Sequence, residues 1–262
     1  MEVIIRPDAD AASRLVARLV AKELRAKPTL VLGLATGRTM ERLYAILADM
    51  YRNEGLDLSR CHTFNLDEYI GIPATDPHAY RHYMDEHLFR KVNIAPENTH
   101  LPDGMAADLA AESVHYEALI REAGGIDLQL LGLGEAGHIG FNEPLSALRS
   151  RTREKALTPT TREQNASLFG GDLASVPKRA ITMGVGTILE SKRCVLLVTG
   201  TAKAEILSKA IEGPITSMIT ASALQLHSHC TVVVDEEAAT KLKGKKYYRW
   251  IFENEPEWAE FN

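Results

Sequence analysis

The sequence contains few cysteines and no long apolar run, and these absences exclude several classes of protein. Its three cysteines, Cys61, Cys194 and Cys230, lie far apart along the 262 residues. Disulfide frameworks and thiolate metal sites need paired or clustered cysteines, so we expect buried free thiols of the kind found in cytoplasmic proteins. No apolar run approaches the roughly 18 residues of a membrane span, and residues 1–10 lack the apolar region of a secretory signal. The sequence thus predicts a cytoplasmic protein with no membrane partner.

Clustered positive charge is also scarce. The formal net charge is −5, and the densest basic segment, residues 241–249, carries five Lys or Arg residues. Nucleic-acid-binding domains usually show a clustered basic excess, so we expect no nucleic-acid partner and interpret this segment as a solvated helix end. His78 and His82 are four residues apart, but Ala79 stands where an H-E-x-x-H zinc motif has its glutamate. The sequence therefore predicts no metal site.

What the chain has instead is an alternation of apolar strands and amphipathic helices. Continuous apolar runs predict buried strands, and the segments between them repeat apolar residues at helical spacing. Because no linker or repeat divides the chain, we expect one domain of residues 1–262, an α/β fold with a mostly parallel sheet covered on both faces. The predicted strands are residues 3–5, 29–34, 61–66, 127–133, 194–199 and 230–234, and the predicted helices include residues 12–24, 106–123 and 202–211 and a segment ending at residue 50.

Two turns containing Gly and Thr follow predicted strands, where parallel sheets bind their ligands. The first turn, Thr36-Gly37-Arg38-Thr39, combines hydroxyls and helix-start N–H groups with a guanidinium, a set that can hold a phosphate. The alternative is an ordinary turn with Thr39 as the helix N-cap. The second turn places Lys203 in a first helical turn, where the helix dipole disfavours a cation unless it serves an anion. A surface lysine is the alternative there.

Two adjacent carboxylates, Asp67 and Glu68, come at the end of the strand predicted over residues 61–66. Neighbouring side chains of an extended strand point to opposite faces, so at most one of the two can meet a ligand. We expect the other to cap a helix, to pair with another side chain or to face solvent.

The loop of residues 132–144 begins like a dinucleotide-binding fingerprint, G-x-G-x-x-G after a strand. That motif requires a helix to start at its glycines, and the further glycine and proline of this loop oppose one. We therefore interpret the match as accidental. The glycines would instead let the backbone approach a small ligand, with His138, Asn142 and Glu143 as polar groups around it. A structural or solvated histidine is the alternative.

Five segments stand in a recognisable order along nearly the whole chain: TGRT at residues 36–39, FNLDEY at 64–69, GHIGFNEP at 137–144, AITMGVGT at 180–187 and ASALQLH at 221–227. They resemble the signatures of glucosamine-6-phosphate deaminases, and the second and third are highly specific as a pair. The resemblance implies a three-layer α/β domain with a modified Rossmann-like sheet, similar to 6-phosphogluconolactonases and ribose-5-phosphate isomerases. It also implies a reaction that needs no cofactor.

The resemblance further implies a role for each matching residue. Asp67 matches the family's enolisation base, and His138 and Glu143 match members of its ring-opening group. The implied enzyme converts glucosamine 6-phosphate to fructose 6-phosphate and ammonia, an isomerising hydrolysis. Its expected partners are a small amino sugar phosphate and, in a homo-oligomer, further copies of the chain. The positions that match the family's phosphate contacts are Thr36, Gly37, Thr39 and Lys203.

Three positions depart from the family's pattern. Ala136 stands where the family has Asp or Asn, Ser167 where it has a phosphate-binding Arg, and Arg38 where it has a small residue. We hypothesise that Arg38 replaces the missing guanidinium, and that Ala136 lowers ring-opening efficiency or marks another amino sugar, such as galactosamine 6-phosphate. A non-catalytic sugar-phosphate sensor is a further alternative, although the retained acid and base residues speak against it.

Overall fold

Ten strands form two sheets in the computed structural model, which describes residues 1–261. In chain order they are β1 (Glu2–Arg6), β2 (Val31–Leu34), β3 (His62–Asn65), β4 (Asp67–Tyr69), β5 (Thr99–His100), β6 (Leu128–Leu131), β7 (Arg153–Ala156), β8 (Arg179–Thr182), β9 (Arg193–Val198) and β10 (Cys230–Asp235). Seven of them build a parallel sheet in the order β1-β10-β9-β6-β2-β3-β5. Every strand predicted from an apolar run belongs to this sheet.

Helices lie on both sides of the parallel sheet, which confirms the predicted α/β fold class. Helix α1 packs on β9, β10 and α2, while α8 packs on β1 at the sheet edge. The basic segment of residues 241–249 overlaps the start of α8, and its charged side chains are exposed or half-buried, as expected of a solvated helix end. In residues 1–261 the α-helices are α1 (Ala9–Ala26), α2 (Arg38–Glu54), α3 (Tyr80–His87), α4 (Leu109–Glu122), α5 (Pro159–Asn165), α6 (Val185–Leu189), α7 (Ala204–Glu212) and α8 (Lys245–Asn254).

Burial on both faces explains why the central strands are continuous apolar runs. All six positions of β9 and all six of β10 are buried, so neither strand has a solvent face that would demand polar residues. Cys194 and Cys230 are register partners on these two strands. Together with Cys61 they are buried and free, which confirms the prediction made from cysteine spacing.

The second sheet is antiparallel, has the order β4-β8-β7, and was not predicted. Its strands have three or four residues each, and three of the four residues of β7 are charged, so they give neither an apolar run nor a clear alternation. The N–H of Met183 donates to the carbonyl of Leu66 (2.6 Å), which ties this sheet to the end of β3. The chain thus passes from one sheet into the other immediately before Asp67.

The starts of α1, α4 and α7 differ by two or three residues from the predicted ones, and the N-cap of α2 also differs from the residue considered for it. Helix α4 begins at Leu109 rather than at residue 106, because the carboxylate of Asp108 accepts hydrogen bonds from two N–H groups of its first turn. Helix α2 begins at Arg38 with Gly37 as its N-cap, so the alternative that Thr39 caps this helix is wrong.

His78 lies before the start of α3 and contacts the carboxylate of Asp76, so it does not share a helical face with His82. Within residues 1–261, no group of three or more His, Cys, Asp or Glu residues is arranged to hold a metal ion. In the same part of the chain, no helix combines the length and the apolar character that crossing a bilayer requires. The single domain of residues 1–262 stays a prediction, and Asn262 lies outside the described residues.

Candidate active site

A cavity of about 610 Å³ opens beyond the carboxyl ends of β2, β3, β6 and β9. Carboxyl ends of parallel strands meet at one edge of a sheet, so loops distant in sequence converge there. Glu143, one of the predicted site residues, lies behind the cavity wall and contacts His138. The other seven predicted site residues all line the cavity: Thr36, Gly37, Arg38, Thr39, Asp67, His138 and Lys203.

The turn between β2 and α2 forms one end of this cavity. Gly37 has a φ of 110°, a conformation that side-chain-bearing residues rarely adopt, and it lets the turn present the start of α2. The first N–H groups of a helix have no partner within it and carry partial positive charge, which suits an anion. The hydroxyl of Tyr83 on α3 donates to the carbonyl of Gly37 (2.9 Å) and braces the turn from outside.

Lys203 approaches the same end of the cavity from the turn after β9. It lies in a short 3₁₀ turn, Thr201–Lys203, immediately before α7 rather than inside the first α-helical turn. Burial lowers the pKa of Lys203, the negative charge of Glu135 opposes this effect, and the positive charge of Arg38 adds to it. Lys203 and Arg38 therefore lie close enough to repel each other, and an anion bound between them would relieve that repulsion.

Asp67 lines the cavity from β4 and is buried, with 6% of its surface exposed. Its pKa is raised to about 8, chiefly by burial and then by the neighbouring charge of Glu68, against the opposing effect of a hydrogen bond from the N–H of Phe141. A carboxylate of this kind is a stronger base than an exposed one. The site therefore holds a group suited to removing a proton near neutral pH.

Glu68 points away from Asp67, as the alternation of an extended strand requires. Its carboxylate accepts hydrogen bonds from the N–H groups of Tyr69 (2.8 Å), Tyr80 (2.9 Å) and Arg81 (2.9 Å). The last two begin α3, so Glu68 caps that helix. Of the three alternatives expected for the second carboxylate, a helix cap, a side-chain partner or solvent, the structure shows the cap.

His138, which lines the same cavity, forms a buried pair with Glu143. Nδ1 of His138 lies 3.4 Å from Oε2 of Glu143, longer than a well-formed hydrogen bond, and neither atom has another hydrogen-bond partner in the described residues. Burial alone would raise the pKa of Glu143, but contacts from His138, Thr161 and Thr158 lower it. The ionised carboxylate of Glu143 beside the imidazole can orient the ring even at this distance.

The backbone around His138 is compact because it is rich in glycine. A Cβ atom at Gly134 would come within 2.1 Å of Nε2 of His138, so any other residue would displace the ring. A Cβ at Gly140 would come 3.3 Å from Oδ2 of Asp67, and its φ is 53°. No helix starts between Gly132 and Gly137. The interpretation of the dinucleotide fingerprint as accidental is therefore supported, since the pyrophosphate of a dinucleotide needs that helix.

Several cavity residues were not predicted from the sequence. Tyr80 and His87 come from α3, and Thr161 and Gln164 come from α5, both far in sequence from the predicted motifs. The amide of Gln164 donates to Glu135 (2.8 Å), which joins α5 to the loop after β6. Neither helix follows a strand of the parallel sheet directly, so the rule that located the other loops did not reach them.

The three positions that depart from the family's sequence pattern also lie at or near the cavity. Ser167 lines it from the end of the α5 region, and Arg38 lines it from the start of α2. Ala136 is half-buried between Glu135 and Gly137 and offers His138 no polar partner. The imidazole therefore depends on Glu143 for its orientation.

The chain also matches proteins of known family. Residues 8–233 match a family model described as glucosamine-6-phosphate isomerases/6-phosphogluconolactonase. A glucosamine-6-phosphate deaminase of Streptomyces coelicolor is 47% identical over 258 residues, covering 98% of this chain and 99% of that relative. Glucosamine-6-phosphate deaminase 2 of Bacillus subtilis is 46% identical, covering 94% of this chain and all of that relative. Such similarity over full length fits the motifs and the geometry of the cavity.

Solved structures agree. A monomeric glucosamine-6-phosphate deaminase superposes with a TM-score of 0.90 at 44% identity, covering 92% of this chain and 100% of that one. A 6-phosphogluconolactonase from Trypanosoma cruzi has a TM-score of 0.74 at 19% identity, covering 92% of this chain and 97% of that one, and so shares the fold. The chain belongs to the family of glucosamine-6-phosphate isomerases and 6-phosphogluconolactonases.

Proposed function

We propose that the protein is a glucosamine-6-phosphate deaminase, which converts glucosamine 6-phosphate and water to fructose 6-phosphate and ammonia. One observation carries the proposal: a buried carboxyl group, Asp67, and an imidazole, His138, line one cavity together with two cations, Arg38 and Lys203. The deaminases of Streptomyces coelicolor and Bacillus subtilis support it by similarity over nearly their whole length. The phosphate of a phosphorylated amino sugar can bind the two cations while its reacting carbons lie against Asp67 and His138.

Phosphate binding supplies orientation in this proposal. The start of α2, with the hydroxyls of Thr36 and Thr39, and the cations of Arg38 and Lys203 surround the anion. Binding energy at this remote group then holds C1 and C2 of the sugar against the acid and base groups.

Ring opening is the first chemical step. His138 takes the proton of the anomeric hydroxyl and returns a proton to the ring oxygen as the C1–O5 bond breaks, giving the open aldehyde. Glu143 holds the ring and balances its charge when it is protonated. Histidine suits this exchange because it gains and loses protons near neutral pH.

Isomerisation is the second chemical step, and Asp67 carries it out. Asp67 removes the C2 proton, which the C1 carbonyl has made acidic, while the substrate's ammonium group passes a proton to O1, giving an enol amine. Asp67 then delivers its proton to C1, and the nitrogen lone pair forms the C2=N bond of an iminium as the C1=C2 double bond is lost, so the substrate's own amine supplies the electrons. Water adds to C2 and ammonia leaves, which makes the net reaction a hydrolytic deamination coupled to isomerisation.

Ammonia release from a panel of glucosamine 6-phosphate, galactosamine 6-phosphate and unphosphorylated glucosamine tests the proposal. We expect turnover of glucosamine 6-phosphate that falls at least about a hundredfold in Asp67→Asn, since general-base catalysis contributes that much or more. Asp49→Asn is the matched control, because Asp49 is an exposed acid of α2. Preference for galactosamine 6-phosphate would reassign the substrate, and sugar-phosphate binding without ammonia release would identify a sensor instead.

A further inference from the structure

Glu68 is a buried carboxylate that the reaction above does not use. It is 4% exposed and, together with Arg81, lines a second cavity of about 510 Å³ that does not include Asp67 or His138. Glu68 follows Asp67 directly in the sequence. All three of its hydrogen bonds are accepted from backbone N–H groups. An acid that only accepts from backbone donors holds structure rather than transferring a proton to substrate.

Helix α3 depends on this carboxylate for its cap. Ala79 occupies the N-cap position and has no side chain that could accept a hydrogen bond. Glu68 substitutes for it across a gap of 12 residues, receiving the N–H of Tyr80 at Oε1 and the N–H of Arg81 at Oε2. A negative charge at a helix N-terminus is also favoured by the helix dipole.

Helix α3 in turn braces the anion end of the main cavity. The hydroxyl of Tyr83 donates to the carbonyl of Gly37, and the hydroxyl of Tyr80 lies within reach of Thr36 and 3.4 Å from the hydroxyl of Tyr69. Tyr80 also packs on Phe141, with ring centroids 6.0 Å apart. A shift of α3 would therefore move the turn that presents the N-terminus of α2.

We infer that Glu68 is a positioning residue that joins the two ends of the site: it holds α3, and through α3 the phosphate turn, in place beside the base Asp67. This inference rests on the proposed function for the roles of base and phosphate turn. The contacts themselves link Glu68 to α3, and α3 to the turn, independently of the reaction.

The charge of Glu68 acts on Asp67 as well. After burial, it is the main cause that raises the pKa of Asp67. Burial also raises the pKa of each tyrosine near Asp67 well above 10, so these rings stay uncharged at neutral pH. The titratable groups facing Asp67 are Glu68 and Tyr69 of β4, Tyr80 of α3, Tyr116 of α4 and, across the cavity, His138, while Arg81 faces Glu68.

Glu68→Gln tests the inference, with Glu68→Asp as the conservative variant. Glutamine keeps the shape but loses the charge and offers an NH₂ group to a backbone donor. We expect faster amide hydrogen exchange at Tyr80 and Arg81, a KM raised severalfold, and an acid limb of kcat/KM shifted by about half a pH unit or more toward lower pH. Aspartate restores the charge, so its pH profile should return toward that of the unmodified protein.

Asp108→Ala is the matched control, because Asp108 also caps a helix, α4, but lies outside the cavity. It should lower stability while leaving KM and the pH profile unchanged. NMR titration of the Asp67 carboxyl is a readout that needs no turnover. If the unmodified protein releases no ammonia, the proposed function fails, and exchange and titration still decide the role of Glu68. An unmoved Asp67 titration or unchanged exchange at Tyr80 and Arg81 in Glu68→Gln overturns the inference.

Discussion

Asp67 and Glu68 show how neighbouring residues of one type acquire different properties. The strand alternation of β4 turns Asp67 toward the cavity, where its pKa is raised, and turns Glu68 toward the start of α3. Burial dominates the pKa of Asp67, and the hydrogen bond from Phe141 opposes it only in part. The same carboxyl chemistry therefore gives a base in one direction and a helix cap in the other.

The raised pKa of Asp67 makes a prediction about stability. An unfolded chain loses this proton near pH 4, whereas the native state holds it until about pH 8. The native state binds more protons in that window, so its stability should fall as pH rises from about 4 to about 8. Asp67→Asn removes the titrating carboxyl group, so the variant should not lose stability in this way. Its advantage in free energy of unfolding should grow across the window to roughly 5 kcal/mol at most and level off above it.

Denaturant unfolding of both proteins at pH 5, 7 and 9 measures this difference. Asp49→Asn, on the exposed face of α2, controls for the general loss of one negative charge. Parallel stability–pH curves for Asp67→Asn and the unmodified protein would show that Asp67 is not held protonated.

At the scale of elements, the start of α2 is the feature on which the proposed phosphate binding depends. The glycine turn presents the helix N-terminus, Tyr83 braces it, and Arg38 stands at its edge opposite Lys203. Ser167 lies in the same cavity but can offer only a hydroxyl. Arg38 is therefore placed to supply the guanidinium that position 167 lacks.

We predict that Arg38→Ala raises KM for a phosphorylated amino sugar by about tenfold or more, the effect of losing a charge-assisted hydrogen bond worth about 1.5–3 kcal/mol. The value of kcat should change less, because the anion lies away from the reacting carbons. Arg42→Ala, one turn further along α2 and also exposed, is the matched control. Steady-state kinetics of the two variants measure the effect, and equal KM values would refute a phosphate role for Arg38.

At the scale of the whole molecule, the segment after α8 closes the edge of the parallel sheet. Trp258 is fully buried, and its indole N–H donates to the carboxylate of Glu2 on β1 (3.1 Å). Arg193 of β9 packs over the ring and pairs with Glu257 (2.9 Å). The beginning of the chain, a central strand and this late segment thus meet at one aromatic side chain.

The two tryptophans of the chain provide a matched pair for testing this closure. Trp258→Ala should lower the free energy of unfolding by about 3–5 kcal/mol, since it removes a fully buried aromatic ring. Trp250, on α8, is 53% exposed, and Trp250→Ala should change stability by less than about 0.5 kcal/mol. Urea unfolding measures both free energies of unfolding. Similar decreases in Trp258→Ala and Trp250→Ala would contradict the role of Trp258 in closing the sheet edge.

Particular elements show why the sequence predicted most strands of the parallel sheet and the cavity loops that follow them, but not the cavity residues of α3 and α5. Strands β9 and β10 are buried on both faces, so their apolar runs were visible without any tertiary information. Strand β5 has two residues, and β4, β7 and β8 are short, so pairing partners define them more than composition does. Tyr80 and Gln164 reach the cavity from helices whose position depends on those short strands and on long-range contacts.

By itself, the sequence determined six of the seven strands of the parallel sheet, the loops at their carboxyl ends and the residue types available for acid–base chemistry, because burial and backbone geometry act locally on composition and spacing. The tertiary structure alone decided which of Asp67 and Glu68 faces the cavity, that Glu143 lies behind His138, and that α3 and α5 complete the walls. Those outcomes depend on contacts between residues far apart in the chain. Local pattern carries no information about such contacts, since their distances are set only when the two sheets and their helices pack together.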